Sequence, residues 1–177
     1  AEELGFQLEK GSEEALGILA DLKNLEKEGY EFEAADASFE LLVRKALNHY
    51  RQLFALKEYH CTTRVRREGD QRFETCEATV KLEVEGKREY TVAEGDGPVN
   101  ALDGALRKAL APFYPELEEV SLQDYKVRII DSRTGTAAKT RVLIDSSDGK
   151  NTWGTVGVSY NIIDASWRAL ADSFEYY

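Results

Sequence analysis

Methionine is absent from this sequence, even at position 1, so the chain reads as a piece excised from something longer. Cysteine is nearly absent: Cys61 and Cys76 are the only two, they form no CxxC pair, and no third cysteine could complete a disulfide framework or a thiolate metal site. Both read as reduced, half-buried thiols on neighbouring strands. No apolar run approaches the roughly 18 residues a membrane helix needs, and no signal peptide opens the chain, which makes a soluble, cytoplasmic protein the expectation. Basic charge is in the minority, with 23 Lys and Arg against 33 Asp and Glu and a net charge of -10. A chain of that sign repels phosphate backbones and anionic lipid surfaces, so neither nucleic acid nor membrane is an expected partner. The one basic cluster, "RVRR" at 64–67, is a strand end with no interleaved aromatic platform.

Catalytic constellations are missing too. The two histidines, His49 and His60, show no HxH, HxxxH or HExxH spacing, and no serine sits in a GxSxG elbow. The many carboxylates fall at exposed positions of helices and strands, where a solvated face explains them better than paired acid and base chemistry. No catalytic residue and no metal ligand is therefore expected.

What is present is pattern. Ala15, Ile18, Leu19, Leu22 and Leu25 recur at helical spacing from Ser12 to about Lys27, with Gly29 as the stop. A second helix follows, with Asp36 as N-cap and an apolar face running from Phe39 through Leu42, Val43, Ala46 and Tyr50 to Leu53. The period then changes to two. Tyr59, Cys61, Thr63 and Val65 alternate with polar neighbours, "REGDQRFE" bends the chain, and Ala78, Val80, Leu82 and Val84 alternate in a second strand. "EGK" at 85–87 makes a tight turn into "REYTV", and "GDGPVNALDGALRKAL" opens a helix with Pro98 in its first turn.

The same strand, strand, strand, helix order then repeats. Tyr125, Val127 and Ile129 alternate in one strand, Ala138, Thr140, Val142 and Ile144 in the next, and "SDGK" turns into a strand from Trp153 to Val158. A helix from Asn161 carries Ile163, Trp167, Leu170 and Phe174 on one face. A shift of 61 residues (161 minus 100) pairs Asn100 with Asn161, Asp103 with Asp164 and Arg107 with Arg168. The fold class is α+β: two βββα repeats preceded by a short helical segment. A sheet made from two such units would have one face covered by its helices and the other bare, and a second copy of the chain is the natural cover, giving a twofold homodimer.

Two glycine-rich elements remain as candidate binding loops. Gly95, Asp96 and Gly97 stand directly before a helix start, where exposed N–H groups and the helix dipole favour an anion such as a carboxylate. Gly135, Thr136, Ala137 and Ala138 form a small-residue loop that leaves room for a ligand beside the backbone, and tight turns or caps are the simpler reading of both.

Four stretches, "LEKEGYEFEAADASFELLVRKAL", "GDGPVNALDGALRKAL", "DYKVRIID…GTAAKTRVLID" and "WGTVGVSYNIIDASWRAL", resemble the C-terminal part of the citramalate synthases, within the 2-isopropylmalate synthase/homocitrate synthase family. The resemblance covers essentially the whole chain. It implies a helical linker subdomain over 1–51 and a regulatory, dimerising domain over 52–177. It also implies a parent acyltransferase that condenses acetyl-CoA with a 2-oxo acid on a metal-dependent barrel, so that this segment holds no cofactor and is not active alone. The effector implied is a branched-chain amino acid, isoleucine, or leucine if the 2-isopropylmalate synthases are the nearer kin; a purely structural dimerisation module is the alternative. Matched position by position, Gly95, Asp96, Gly97, Pro98, Val99 and Asn100 would contact the effector, with backbone N–H groups on its carboxylate. Tyr125, Val127, Gly135, Thr136, Ala137, Ala138, Gly157 and Val158 would enclose its ammonium and aliphatic side chain. Tyr160 departs from the family pattern, in which an acidic residue more often precedes "NIIDAS".

Overall fold

The structure is a computed structural model and describes residues 6, 11–130, 135 and 137–177. In chain order the elements are α1 (Glu13–Glu28), α2 (Asp36–Ala46), β1 (Ala55–Glu68), β2 (Gln71–Val84), β3 (Lys87–Gly95), α3 (Pro98–Leu110), a 3-10 turn (Pro115–Glu119), β4 (Ser121–Ile129), β5 (Thr140–Ser147), β6 (Thr152–Ser159) and α4 (Ile162–Tyr176). The six strands form two separate three-stranded antiparallel sheets, β1-β2-β3 and β4-β5-β6, each followed by its helix. Two compact units result, one of residues 52–119 and the other of 1–51 together with 120–177. The N-terminal helices thus belong to the same unit as the second repeat.

In the unit 52–119, alternation decides which face is buried. Cys76, Ala78, Val80, Leu82 and Val84 of β2 are buried, and so are Ala101, Leu102, Ala105, Leu106, Ala109 and Leu110 of α3. Each fully buried leucine in that layer contributes about 2 kcal/mol. The "REGDQRFE" stretch is not a bend: β1 and β2 pair through Arg66–Phe73 and Arg67–Arg72 to Glu68–Gln71, leaving only Gly69 and Asp70 to turn. Cross-strand partners there keep the ladder going where composition alone suggests a loop. The "EGK" turn is as expected, with Glu85 and Gly86 both at positive φ (49° and 77°), which matches the twist of a two-residue hairpin.

In the other unit, α4 covers one face of the sheet and residues 30–46 cover the opposite one. Val156 and Val158 of β6 pack with Ala35, flanked by Tyr30, Phe32 and Leu143. Asp36 Oδ1 accepts from Gly154 N (2.8 Å) and Ser38 Oγ from Val156 N (3.0 Å), so α2 occupies hydrogen-bonding positions along the outer strand β6. This corrects the role read for Asp36. It is the first residue of α2, Ala35 is the N-cap, and no side chain caps that end. Arg141, buried on β5, ties the same segment down by donating from Nε to Gly29 O (2.6 Å) and pairing with Glu31 (2.6 Å). The second helix also stops earlier than its apolar spacing suggested. Asn48, at φ 54°, takes the left-handed position, and its N–H and that of His49 bond back to Lys45 O and Arg44 O. Tyr50 and Leu53 therefore lie beyond the helix.

The expected bare apolar face needs correction in both repeats. In the second sheet the chain's own segment 30–46 covers it. In the first sheet the face away from α3 is polar, carrying Glu58, His60, Thr62, Glu77, Thr79 and Lys81, with a Lys81–Glu58 pair at 2.6 Å. Its exposed apolar residues are Phe73 (40%), Tyr90 (64%) and Val92 (42%).

The repeat itself is confirmed with a different shift. Thr91 Oγ1 donates to Ala105 O (2.7 Å) in the first copy, and Thr155 Oγ1 to Ala169 O (2.8 Å) in the second. Both partners are displaced by 64 residues (155 minus 91, 169 minus 105). Both copies also break register early in their first strand, at Leu56/Glu58 and Leu122/Asp124. The 61-residue match aligns two i,i+4 pairs, Asp103–Arg107 and Asp164–Arg168, about one helical turn out of structural equivalence.

Candidate functional site

Gly95 ends β3 beneath the start of α3. A Cβ there would stand 2.5 Å from Ala101 N and 2.6 Å from Asn100 Oδ1, so only glycine permits this approach. Asn100 folds back to accept from Asp96 N (3.1 Å), which fixes the loop. Gly97 is the N-cap in an extended conformation, its carbonyl accepting Ala101 N (2.9 Å), and Pro98 fills the first helical position, where its missing N–H costs nothing. Helical geometry leaves the N–H groups of Val99 and Asn100 without an i−4 carbonyl. No side chain caps this end and no acid occupies its first turn. The positive end of the helix dipole lies at these N–H groups.

The equivalent end of α4 is closed: Asn161 Oδ1 accepts from Ile163 N (2.9 Å). The two repeats therefore differ at the helix start, which a side chain caps in the second copy and not in the first.

Cys61 lies against this start, its Sγ 4.0 Å from Pro98 O. Burial, and secondarily Cys76, pushes its thiol above the ordinary range, so it stays protonated and unreactive. Both cysteines are free.

The remaining residues singled out from sequence lie in the other unit. Tyr125, Val127 and Gly157 share the α4 side of their sheet, Val127 opposite Val142 and Val142 opposite Gly157. The Tyr125 hydroxyl is 2.7 Å from Ser166 Oγ, a partner the sequence did not flag; Ser166 in turn donates to Ile162 O (2.7 Å), the local bond that a serine inside a helix makes. Gly135 and Ala137 are exposed, while Ala138 is buried and its N–H bonds to Gly135 O (3.2 Å). Thr136 lies outside the described residues. A Cβ at Gly157 would overlap Ala165 O and approach Ala169 N and Arg168 Cβ to 2.9 Å, so this glycine sets the approach of α4. Val158 points to the opposite face, 4% exposed, in the cluster beneath residues 30–35.

Among the described residues, no group of three or more His, Cys, Asp or Glu side chains could hold a metal ion, and no helix is long and apolar enough to cross a membrane. His60 sits at the exposed surface, its ring nitrogen 2.9 Å from Thr62 Oγ1.

Comparison with known proteins identifies the family. The chain is 52% identical over 174 residues to the (R)-citramalate synthase of Aquifex aeolicus (strain VF5), covering 98% of this chain and 33% of that protein. It is 51% identical over 176 residues to the (R)-citramalate synthase of Geobacter sulfurreducens, covering 99% and 33%. Similarity to the 2-isopropylmalate synthase of Aquifex aeolicus is lower, 33% over 175 residues, covering 97% and 30%. The chain thus spans about a third of the length of the curated relatives it matches. Residues 33–177 match the family described as the LeuA allosteric (dimerisation) domain. With that match laid over two βββα repeats, the chain belongs to the LeuA allosteric (dimerisation) domain family.

Proposed function

We propose that this chain is the regulatory and dimerisation part of a citramalate synthase and binds isoleucine as a feedback effector. The observation that carries the proposal is the open start of α3, where the N–H groups of Val99 and Asn100 lack an i−4 carbonyl and no side chain caps them, while the corresponding end of α4 is capped. In the unit 52–119, Gly95 to Asn100 receive the effector's carboxylate. In the other unit, Tyr125, Val127 and residues 135–138 are the positions that meet an effector, with Gly157 and Val158 shaping the sheet behind them. The higher identity to (R)-citramalate synthases than to 2-isopropylmalate synthase supports isoleucine over leucine. A homodimer is the assembly the family description supports.

In this reading residues 1–51 form the linker that carries the effector's influence onward, with coupling of about 1–3 kcal/mol. The parent, a cytoplasmic acyltransferase, condenses acetyl-CoA with pyruvate on a separate metal-dependent barrel; the described residues offer no ligand group for that metal.

Calorimetric titration with isoleucine, leucine and valine tests the effector, and Gly97→Asp tests the site. A Cβ at Gly97 meets open space and its φ of -160° suits any residue, so aspartate there can serve as a side-chain N-cap, stabilising α3 by about 0.3 kcal/mol relative to glycine. Its carboxylate takes the N–H groups the ligand needs. Isoleucine binding to the wild type that disappears in a G97D protein at least as stable supports the proposal. The absence of heat with all three amino acids on folded protein, or unchanged binding in G97D, overturns it and leaves the structural dimerisation module.

A further inference from the structure

Within the unit 1–51/120–177, a cavity of about 340 Å³ opens between residues 25–45 and the second repeat. Tyr30, Phe32, Leu42, Val156 and Trp167 make its walls apolar, and Ser38, Lys45, Arg168 and Asp172 supply polar groups at its edge. None of these four belongs to the surface discussed above.

The commitments of the polar groups decide what the cavity can hold. Ser38 is fully used, donating to Asp172 Oδ2 (2.7 Å) and accepting Val156 N (3.0 Å). Arg168 is paired with Asp164 at 3.0 Å and also hydrogen-bonds the Tyr30 side chain. Asp172 Oδ1 faces Lys45 Nζ at 3.9 Å, too far for a hydrogen bond, with the lysine half in solvent. Lys45 Nζ also lies over the Tyr50 ring, 4.8 Å from its centroid, a contact that leaves its N–H donors available. A carboxylate oxygen and an ammonium therefore stand nearly 4 Å apart at the rim of an aromatic and aliphatic cavity, and neither makes a hydrogen bond to the other.

An α-amino acid carries the complementary pair, an ammonium and a carboxylate on one carbon, with its side chain projecting away. A ligand bearing only a cation would meet Lys45 and Arg168. One bearing only an anion would meet Asp172. A zwitterion satisfies both and adds no net charge. We propose that this cavity binds a free α-amino acid with a large apolar side chain, its ammonium on Asp172 Oδ1, its carboxylate on Lys45 Nζ and its side chain against Tyr30, Phe32 and Trp167. Burial pushes the Asp172 carboxyl above the ordinary aspartate range even though Lys45 and Ser38 pull the other way, so its ionised form has charge left to be compensated. The bound ligand would join the N-terminal segment to the second repeat. The site stands independently of the effector reading.

The test titrates the full 177-residue chain with L-phenylalanine and follows the two tryptophan indole resonances by NMR, Trp167 lining the cavity and Trp153 lying outside it. A saturable shift of the Trp167 indole and the Ser38 amide is expected, weakened about tenfold or more in Asp172→Asn and in Lys45→Ala. Lys45 is half exposed, so that variant keeps its fold even where D172N does not. The single-charge probes 2-phenylethylamine and 3-phenylpropanoate are expected to bind about tenfold more weakly than phenylalanine. No saturable shift up to about 10 mM phenylalanine, equal binding of either single-charge probe, or full affinity in folded K45A overturns the proposal.

Discussion

Replacing Gly157 with alanine adds one methyl group where the structure has no place for it. The nearest atoms are backbone: the Cβ would overlap Ala165 O and come within 2.9 Å of Ala169 N. Backbone cannot swing aside as a long side chain can, so α4 must lift from the sheet. That movement strains the buried layer under Ala165, Ala169, Leu170 and Phe174 and stretches the Thr155–Ala169 hydrogen bond of 2.8 Å. Overpacking costs about 1–3 kcal/mol and the weakened bond about 1 kcal/mol, so the expected loss is about 3 kcal/mol, or roughly 10–15 °C in the melting of a unit of this size. The assay is urea and thermal unfolding read by tryptophan fluorescence, because Trp153 and Trp167, the chain's two tryptophans, both lie in this unit. Gly17→Ala is the control: it sits in α1 with nothing within 4 Å of a Cβ and should stabilise by about 0.5–1 kcal/mol. In the first repeat the equivalent strand position is Ala93, and it faces Gly104 on the helix, so the two copies place their small residues differently. Adding Arg168→Gly to G157A should nevertheless recover little, because the Ala165 carbonyl stays in the way. A G157A protein within about 0.5 kcal/mol of wild type would refute the reasoning.

Other substitutions separate the remaining interactions. Ser38→Ala strips partners from Val156 N and from Asp172 together, and equilibrium urea unfolding should show a loss of about 2 kcal/mol. Thr155→Val should cost about 1–2 kcal/mol and Thr91→Val less, because Thr155 is fully buried and Thr91 only partly; a larger effect at Thr91 would contradict the burial argument. The Asp148 carboxylate, which accepts the Asn151 and Lys150 amides in the β5–β6 turn, is held below the ordinary aspartate range, so its carboxyl NMR titration should fall below that of a free aspartate. Its contribution is present above the unfolded value and is lost as pH falls through the folded one. Asp172 has the opposite sign. Its folded value is raised, so the native state binds the extra proton, and its contribution declines as pH rises from the ordinary aspartate value through the raised one; D172N should flatten that part of the stability profile.

The strands, the existence of the repeat and the starts of α1, α3 and α4 are legible because each rests on local pattern. Alternation at Ala78–Val84 marks one buried face, and the glycine-proline run 95–98 marks a helix start whose geometry needs both residue types. What stayed hidden depends on partners far along the chain. Asp36 reads as an N-cap because a carboxylate before an apolar run usually is one, yet its oxygen goes to Gly154. Leu53 fits a helical spacing, but Asn48 takes a left-handed conformation and ends the helix first. Val158 reads as a pocket residue on a strand, and which face of that strand is covered, and by what, depends on residues 30–35. The charges at Lys45 and Asp172 look like ordinary surface residues of two helices until the fold places them 3.9 Å apart.

The bonds from Asp36 to Gly154 and from Ser38 to Val156 each span 118 residues. On a ribosome, α1 and α2 are made first and must wait through the whole of the first repeat, which can complete its own sheet and helix, before β6 emerges to receive them. During that interval Tyr30, Phe32 and the apolar side of α2 have no native surface to cover, and the nascent chain carries a finished middle between two unfinished ends. Chains stalled with the first repeat outside the ribosome and β6 still inside should therefore hold a folded first repeat beside protease-sensitive residues 12–46, and emergence of β6 and α4 should protect that segment.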